Sequence, residues 1–162
     1  MSAIDNIKHE LDEARTELLE ALDGVTQAEF DHKPPRDNDT DEDHWSILEV
    51  LWHVGVTEDR FRRTIDQALG GREVTTDPPR ERPAHLETPA LLIEWINQAR
   101  RPTEAMLRHM SDADLQIEIP RPDGSTRTPQ RYLEILVSHD RDHAGQVRAL
   151  REMEAMPSGG EA

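Results

Sequence analysis

The chain has 162 residues and contains no cysteine, which excludes a disulfide framework and a thiolate metal site. Its formal net charge of −15 opposes binding to nucleic acids and to anionic membrane surfaces, because both call for a basic patch. No apolar run is long enough to span a bilayer, and the N-terminus lacks the basic and apolar regions of a signal peptide. We therefore expect a cytoplasmic protein that binds neither nucleic acid nor a membrane.

Apolar residues spaced by three and four positions predict a first helix, with Ser2 as its cap and Gly24 at its end. Thr26 and Glu29 then form a capping box for a short helical turn. The acidic, proline-bearing segment 31–44 is predicted to be a loop. The apolar stripe of the first helix consists of Ile4, Ile7, Leu11, Ala14, Leu18 and Leu22.

A second long helix is predicted from about 47 to 69, where Ser46 and Glu49 form its capping box and Gly70 stops it. The following loop is long enough to cross the full length of a helix, so the second and third long helices can run parallel. The third begins at the Thr88-Pro89 pair, which is typical of an N-cap and a first helical position.

A short alternating segment around Asp123-Gly124 predicts a small hairpin. The Thr128-Pro129 pair begins the last helix, which runs to about Met153. Four amphipathic helices in one short chain predict an all-α fold of the four-helix-bundle type, with long connecting loops. We expect one domain over residues 1–156 and a flexible tail over residues 157–162.

Two histidines, His139 and His143, interrupt the apolar stripe of the last predicted helix in its middle turns. Buried imidazoles are costly unless each ring nitrogen has a partner. At positions i and i+4 their nitrogens can converge on one metal ion. A pair of hydrogen-bonded core histidines is the alternative interpretation.

A metal site on two histidines needs a third ligand, and His53 is the candidate on the second long helix. It lies about 100° around the helix from the stripe centre, on a flank that can still face the interior. A histidine at that position could equally be a core residue whose ring nitrogens form hydrogen bonds. The remaining five are weaker candidates, because they lie in polar loops, on an outer helix face or at a helix end: His9, His32, His44, His85 and His109.

The segments WSILEVLWHV (45–54) and HDRDHAGQ (139–146), the latter followed by VRAL, resemble the DinB-like (DinB/YfiT) family. The resemblance implies a four-helix bundle in up-down-down-up order, with an open metal site at one end. It implies His53, His139 and His143 as ligands and zinc or nickel as the metal. Some family members use a low-molecular-weight thiol such as mycothiol, bacillithiol or glutathione, others are labelled hydrolases, and homodimers are common.

The leading functional hypothesis is a metal-dependent S-transferase-like enzyme. Three neutral imidazoles leave a metal ion its double positive charge, and such an ion deprotonates a bound thiol. Since this chain has no cysteine, a thiol nucleophile would have to arrive as a cosubstrate. One alternative is a non-catalytic metal-binding dimer, with an interface that could include Leu48 and Trp52. These two residues could instead widen the core-facing side of the second long helix.

A second alternative is a hydrolase that uses metal-bound hydroxide and therefore needs a general base. Asp140 and Glu49 are base candidates by proximity, although each could equally be a capping, surface or orienting carboxylate. Glu58 falls on the apolar stripe of its helix and could meet an arginine or the metal site. Gln146 lies one turn beyond His143, where it could face the cleft or form a buried amide contact.

Overall fold

The computed structural model describes residues 2–34, 44–75 and 80–155, and within these ranges the chain is mostly helical, as the sequence predicts. The predicted flexible tail and most of the predicted acidic loop lie outside the described residues. The helices are α1 (Ala3–Ala21), α2 (Gln27–Asp31), α3 (Ile47–Leu69), α4 (Pro89–His109) and α5 (Pro129–Ala155), with a short 3-10 helix at Ala113–Gln116. Strands β1 (Ile119–Pro120) and β2 (Thr126–Arg127) form the small antiparallel hairpin.

The helices begin where their capping residues predict. The hydroxyl oxygens of Ser2, Ser46 and Thr88 each accept a hydrogen bond from the backbone N–H three residues later. Gly24 does not end α1 directly, because the helix stops at Ala21 and Gly24 takes a positive φ of 70° in the following turn. No helix among the described residues is long and apolar enough to cross a membrane.

Contacts between helices fix their relative directions. The ring of Trp52 on α3 stacks on that of Trp95 on α4 at 4.8 Å, and further along the same helices Glu58 pairs with Arg100. Since the contact that lies later in α3 also lies later in α4, the two helices run in the same direction. In contrast, α3 and α5 run in opposite directions, since Phe61 contacts Tyr132 while the earlier His53 contacts the later His139.

A glycine on α3 allows the tryptophan of α4 to pack closely. A methyl group at Gly55 would overlap the indole nitrogen of Trp95, which donates a hydrogen bond to the carbonyl oxygen of Trp52 at 3.3 Å. Leu48 on the same helix is buried. Leu48 and Trp52 therefore widen the core-facing side of α3 within one chain, which is the second of the two roles considered for them.

The apolar core consists of two clusters that lie one after the other along the helices. On α1, for example, Leu11 belongs to one cluster and Leu18 to the other, and the buried Arg15 lies between them. Each of the other long helices likewise carries one buried charged residue between its contributions to the two clusters. The four charged residues, here called the charged quartet, are Arg15, Glu58, Arg100 and Asp140, between 1% and 6% exposed.

The charged quartet pairs two guanidinium groups with two carboxylates. Arg15 donates to Asp140 and to Glu58, each at 3.0 Å. Arg100 donates to Glu58 at 2.7 Å and to Asp140 at 3.1 Å. Backbone carbonyl oxygens of α1 and α4 accept further hydrogen bonds from the two arginines. Burial by itself lowers the pKa of Arg100, but the negative charges of Glu58 and Asp140 outweigh it and raise that pKa.

We expect Glu58→Gln to lower the free energy of unfolding by about 3–5 kcal/mol, because it leaves two buried arginines facing one carboxylate. Chemical denaturation of the wild type and the variant measures this difference. The control is Glu104→Gln, an exposed carboxylate on α4, for which we expect a change within about 0.5 kcal/mol. Equal effects of the two substitutions would contradict a stabilising role for the charged quartet.

Candidate metal centre

The structure brings together the three histidines that the sequence analysis selected. The Nε2 atom of His139 lies 2.9 Å from Nε2 of His53 and 3.0 Å from Nε2 of His143. His143 is buried and the other two are half-buried. Among the described residues, the other histidines do not join this group. Helix α3 supplies one side chain and α5 supplies two that are one turn apart, as their spacing predicts.

The orientation of His143 depends on Gln146. The Nδ1 atom of His143 lies 2.7 Å from the side-chain oxygen Oε1 of Gln146, which can only accept a hydrogen bond. Nδ1 therefore carries the hydrogen and donates it. In the neutral imidazole this leaves a lone pair on Nε2, the atom that faces His139.

Hydrogen bonds among the three imidazoles cannot satisfy all the facing nitrogens. Each Nε2 of a neutral ring is either a donor or an acceptor. Since the Nε2 of His139 faces two other Nε2 atoms, one hydrogen there completes one of the two contacts. The other contact is then left without a hydrogen bond of its own. A cation that accepts all three lone pairs removes this conflict, so the donor set fits a metal ion such as zinc or nickel.

The surroundings keep two of the rings neutral. Burial lowers the pKa of His53 to about 4, and the charges of His143 and Arg60 act in the same direction. Burial also lowers the pKa of His139 to about 3, assisted by His143, His53 and Arg15. Both imidazoles are therefore uncharged at neutral pH, which is the form that binds a metal.

The carboxylates considered for the site are engaged in ion pairs and a helix cap instead. Asp140 follows His139 directly in sequence, but its side chain belongs to the charged quartet, as does that of Glu58. Glu49 completes the capping box of α3 and pairs with Lys33 at 3.0 Å. Gln146, the remaining side chain considered for the cleft, does contact a histidine of the group.

Arg15 and Arg100 are the residues that the sequence analysis missed. They hold the carboxylates of Glu58 and Asp140 away from the histidines. The sequence contains one indication that Arg15 is buried: it lies next to Ala14, which belongs to the apolar stripe of α1. Charged residues inside the stripes of several helices indicate a buried ionic layer, and such residues pair with one another.

Comparisons with known proteins identify the family. The sequence model of the DinB superfamily matches residues 10–147, and the chain therefore belongs to that superfamily. A crystal structure of a conserved protein from Enterococcus faecalis is similar, with a TM-score of 0.68 over 94% of this chain and 97% of that one. At 18% identity this likeness concerns the fold alone. A comparison with curated proteins gives no match.

The lowered pKa values predict that acid destabilises the metal-free protein. In the unfolded chain these imidazoles titrate near their ordinary pKa of 6.5, whereas in the native state His53 and His139 stay neutral down to about 4 and 3. The unfolded state thus binds more protons, and the free energy of unfolding falls as pH decreases from about 6.5 to about 4.

Denaturation of chelator-treated protein across this pH range measures the slope. We expect His53→Gln to make the slope shallower, by up to about 1.4 kcal/mol per pH unit for one proton. His85→Gln, at an exposed loop position, is the matched control and should keep the wild-type slope. Identical slopes in all three proteins would contradict a His53 that stays neutral in the native state.

Proposed function

We propose that this chain is a metal-dependent enzyme with an S-transferase-like activity that uses a low-molecular-weight thiol as cosubstrate. In this proposal α1, α3, α4 and α5 form an up-down-down-up bundle with the site between α3 and α5. The observation that carries the proposal is the convergence of three imidazole nitrogens, from His53, His139 and His143, within a chain of the DinB superfamily.

The three histidines would hold a divalent ion, zinc or nickel, through their Nε2 atoms. Such an ion lowers the pKa of a bound thiol or water, because three neutral ligands leave its double charge uncompensated. The chain's own part is to orient these ligands. Gln146 fixes the tautomer of His143, and two arginines hold Asp140, the residue next to His139. Such contacts, made by residues that do not bind the metal themselves, maintain the geometry of its ligands.

Thiol transfer is better supported than hydrolysis. A hydrolase would need a general base beside the reacting water, but Asp140 and Glu58 are paired with arginines and Glu49 serves as a helix cap. An external thiol needs no such base if the site itself lowers its pKa. The chain offers no cysteine of its own, so the sulfur has to come from a cosubstrate. A cytoplasmic location and a homodimer remain predictions.

The test is conjugation of thiols to an electrophile by protein loaded with zinc or nickel. With 1-chloro-2,4-dinitrobenzene, the sulfur–carbon bond forms, chloride leaves and the thiol proton passes to solvent. We expect at least one of glutathione, bacillithiol and mycothiol to react faster than without protein. The rate enhancement should be lost in His143→Ala and after chelation, and retained in His109→Ala, at an exposed position near the end of α4.

Absence of thiol conjugation would contradict the proposal, and two further results would show which alternative holds. Acceleration with none of the three thiols, on either metal, excludes the thiol-dependent activity. Ester hydrolysis without any thiol, again lost in His143→Ala, would support the hydrolase alternative. Metal binding without either reaction would leave a non-catalytic metal-binding protein as the remaining alternative.

A further inference from the structure

A second feature of the α3/α5 face is a cavity of about 230 Å³ between the second half of α3, the hairpin and the beginning of α5. Four arginines line it, and none of its lining residues is acidic: Arg60, Arg63, Arg121 and Arg127. This concentration of positive charge is notable in a chain with a net charge of −15. We call this feature the arginine cavity.

Two of the four arginines carry charges that no described carboxylate neutralises. Arg60 is exposed and Arg127 is half-buried, and neither makes an ion pair with a described residue. The guanidinium group of Arg127 instead lies 4.9 Å from the ring centroid of Tyr132. Arg63 and Arg121 have acidic neighbours at 3.3 Å and 3.7 Å. The cavity therefore presents excess positive charge beside an aromatic surface.

The arginine cavity lies on the same helix faces as the three histidines. His53 and Arg60 are seven residues apart on α3, and Tyr132 and His139 are seven residues apart on α5. Seven residues are nearly two helical turns, or about 10 Å along each axis. Because α3 and α5 run in opposite directions, both spacings lead from the histidines to the same cavity. The positive charge of Arg60 also contributes to the lowered pKa of His53.

We propose that the arginine cavity binds the anionic end of the thiol cosubstrate while its sulfur lies at the histidine group. Arginine is suited to this role, since its planar guanidinium binds carboxylate and phosphate groups in a bidentate manner. A tripeptide-sized molecule such as glutathione reaches about 10 Å when extended and carries carboxylates away from its sulfur. This inference rests on the proposed function and names the chemical group by which the site selects its thiol.

Binding of simple anions tests the cavity without any turnover. The probes are succinate and inorganic phosphate, titrated calorimetrically into chelator-treated protein at low salt. We expect at least one of them to bind, and its Kd to rise about tenfold or more in the double variant R60Q/R127Q. Tighter binding of succinate would indicate a carboxylate ligand, and tighter binding of phosphate a phosphorylated one. Arg131→Gln, at an exposed position outside the cavity on α5, should bind like the wild type.

The single variant Arg60→Gln keeps the test valid if the double variant does not fold. This exposed side chain makes no ion pair with a described residue, so its replacement should not affect folding. It should weaken anion binding several-fold at an unchanged melting temperature. The inference is overturned if neither anion binds at millimolar concentration, or if both arginine variants bind like Arg131→Gln.

A second measurement separates this inference from the proposed function. In metal-loaded protein, R60Q/R127Q should raise KM for glutathione and leave KM for 2-mercaptoethanol, which carries no anion, unchanged. Equal KM values for glutathione in the variant and the wild type would overturn the inference while thiol transfer stands. Anion binding that depends on the arginines, in a protein that conjugates no thiol, would overturn the proposed function and leave an anion site.

Discussion

The charged quartet is the interaction on which the geometry of this protein depends. One buried side chain from each long helix takes part, and the four charges sum to zero. Removing such charges from water costs several kcal/mol per ion, which their mutual hydrogen bonds offset only in good geometry. The helices are therefore held in one register: a shift of α5 by a single residue would separate Asp140 from both arginines and His139 from His53.

The same arrangement determines what chemistry the site can perform. By engaging Glu58 and Asp140, the arginines leave the three histidines with no acidic neighbour from the quartet. The histidine group is then a set of nitrogen donors, and the nearest excess charge along α3 is the positive Arg60. Such a site suits a divalent ion and an anionic substrate, which agrees with a thiol that carries carboxylates.

Sequence reasoning predicted what depends on local pattern. The all-α class, the capping residues and the pairing of His139 with His143 follow from helical spacing and from side chains that neighbour each other on one helix. His53, on another helix, was selected because two histidines need a third ligand and because the family resemblance implies it. It did not predict the pairing of Arg15 with Asp140, because those residues are 125 positions apart and only the packing of α1 on α5 brings them together. The arginine cavity was missed for the same reason, since the hairpin carries Arg121 and Arg127 to α3. Gln146 was noted, but helical spacing alone does not determine that its side-chain oxygen meets Nδ1 of His143.

The central claim is that His53, His139 and His143 bind one metal ion, and metal content tests it most directly. Elemental analysis of protein purified without a metal-affinity tag is compared with that of His143→Ala. The account predicts about one zinc or nickel ion per chain in the wild type and almost none in the variant, because two remaining imidazoles do not complete the site. A wild-type protein that stays metal-free after incubation with zinc and nickel salts would contradict it, and the histidines would then be hydrogen-bonded core residues.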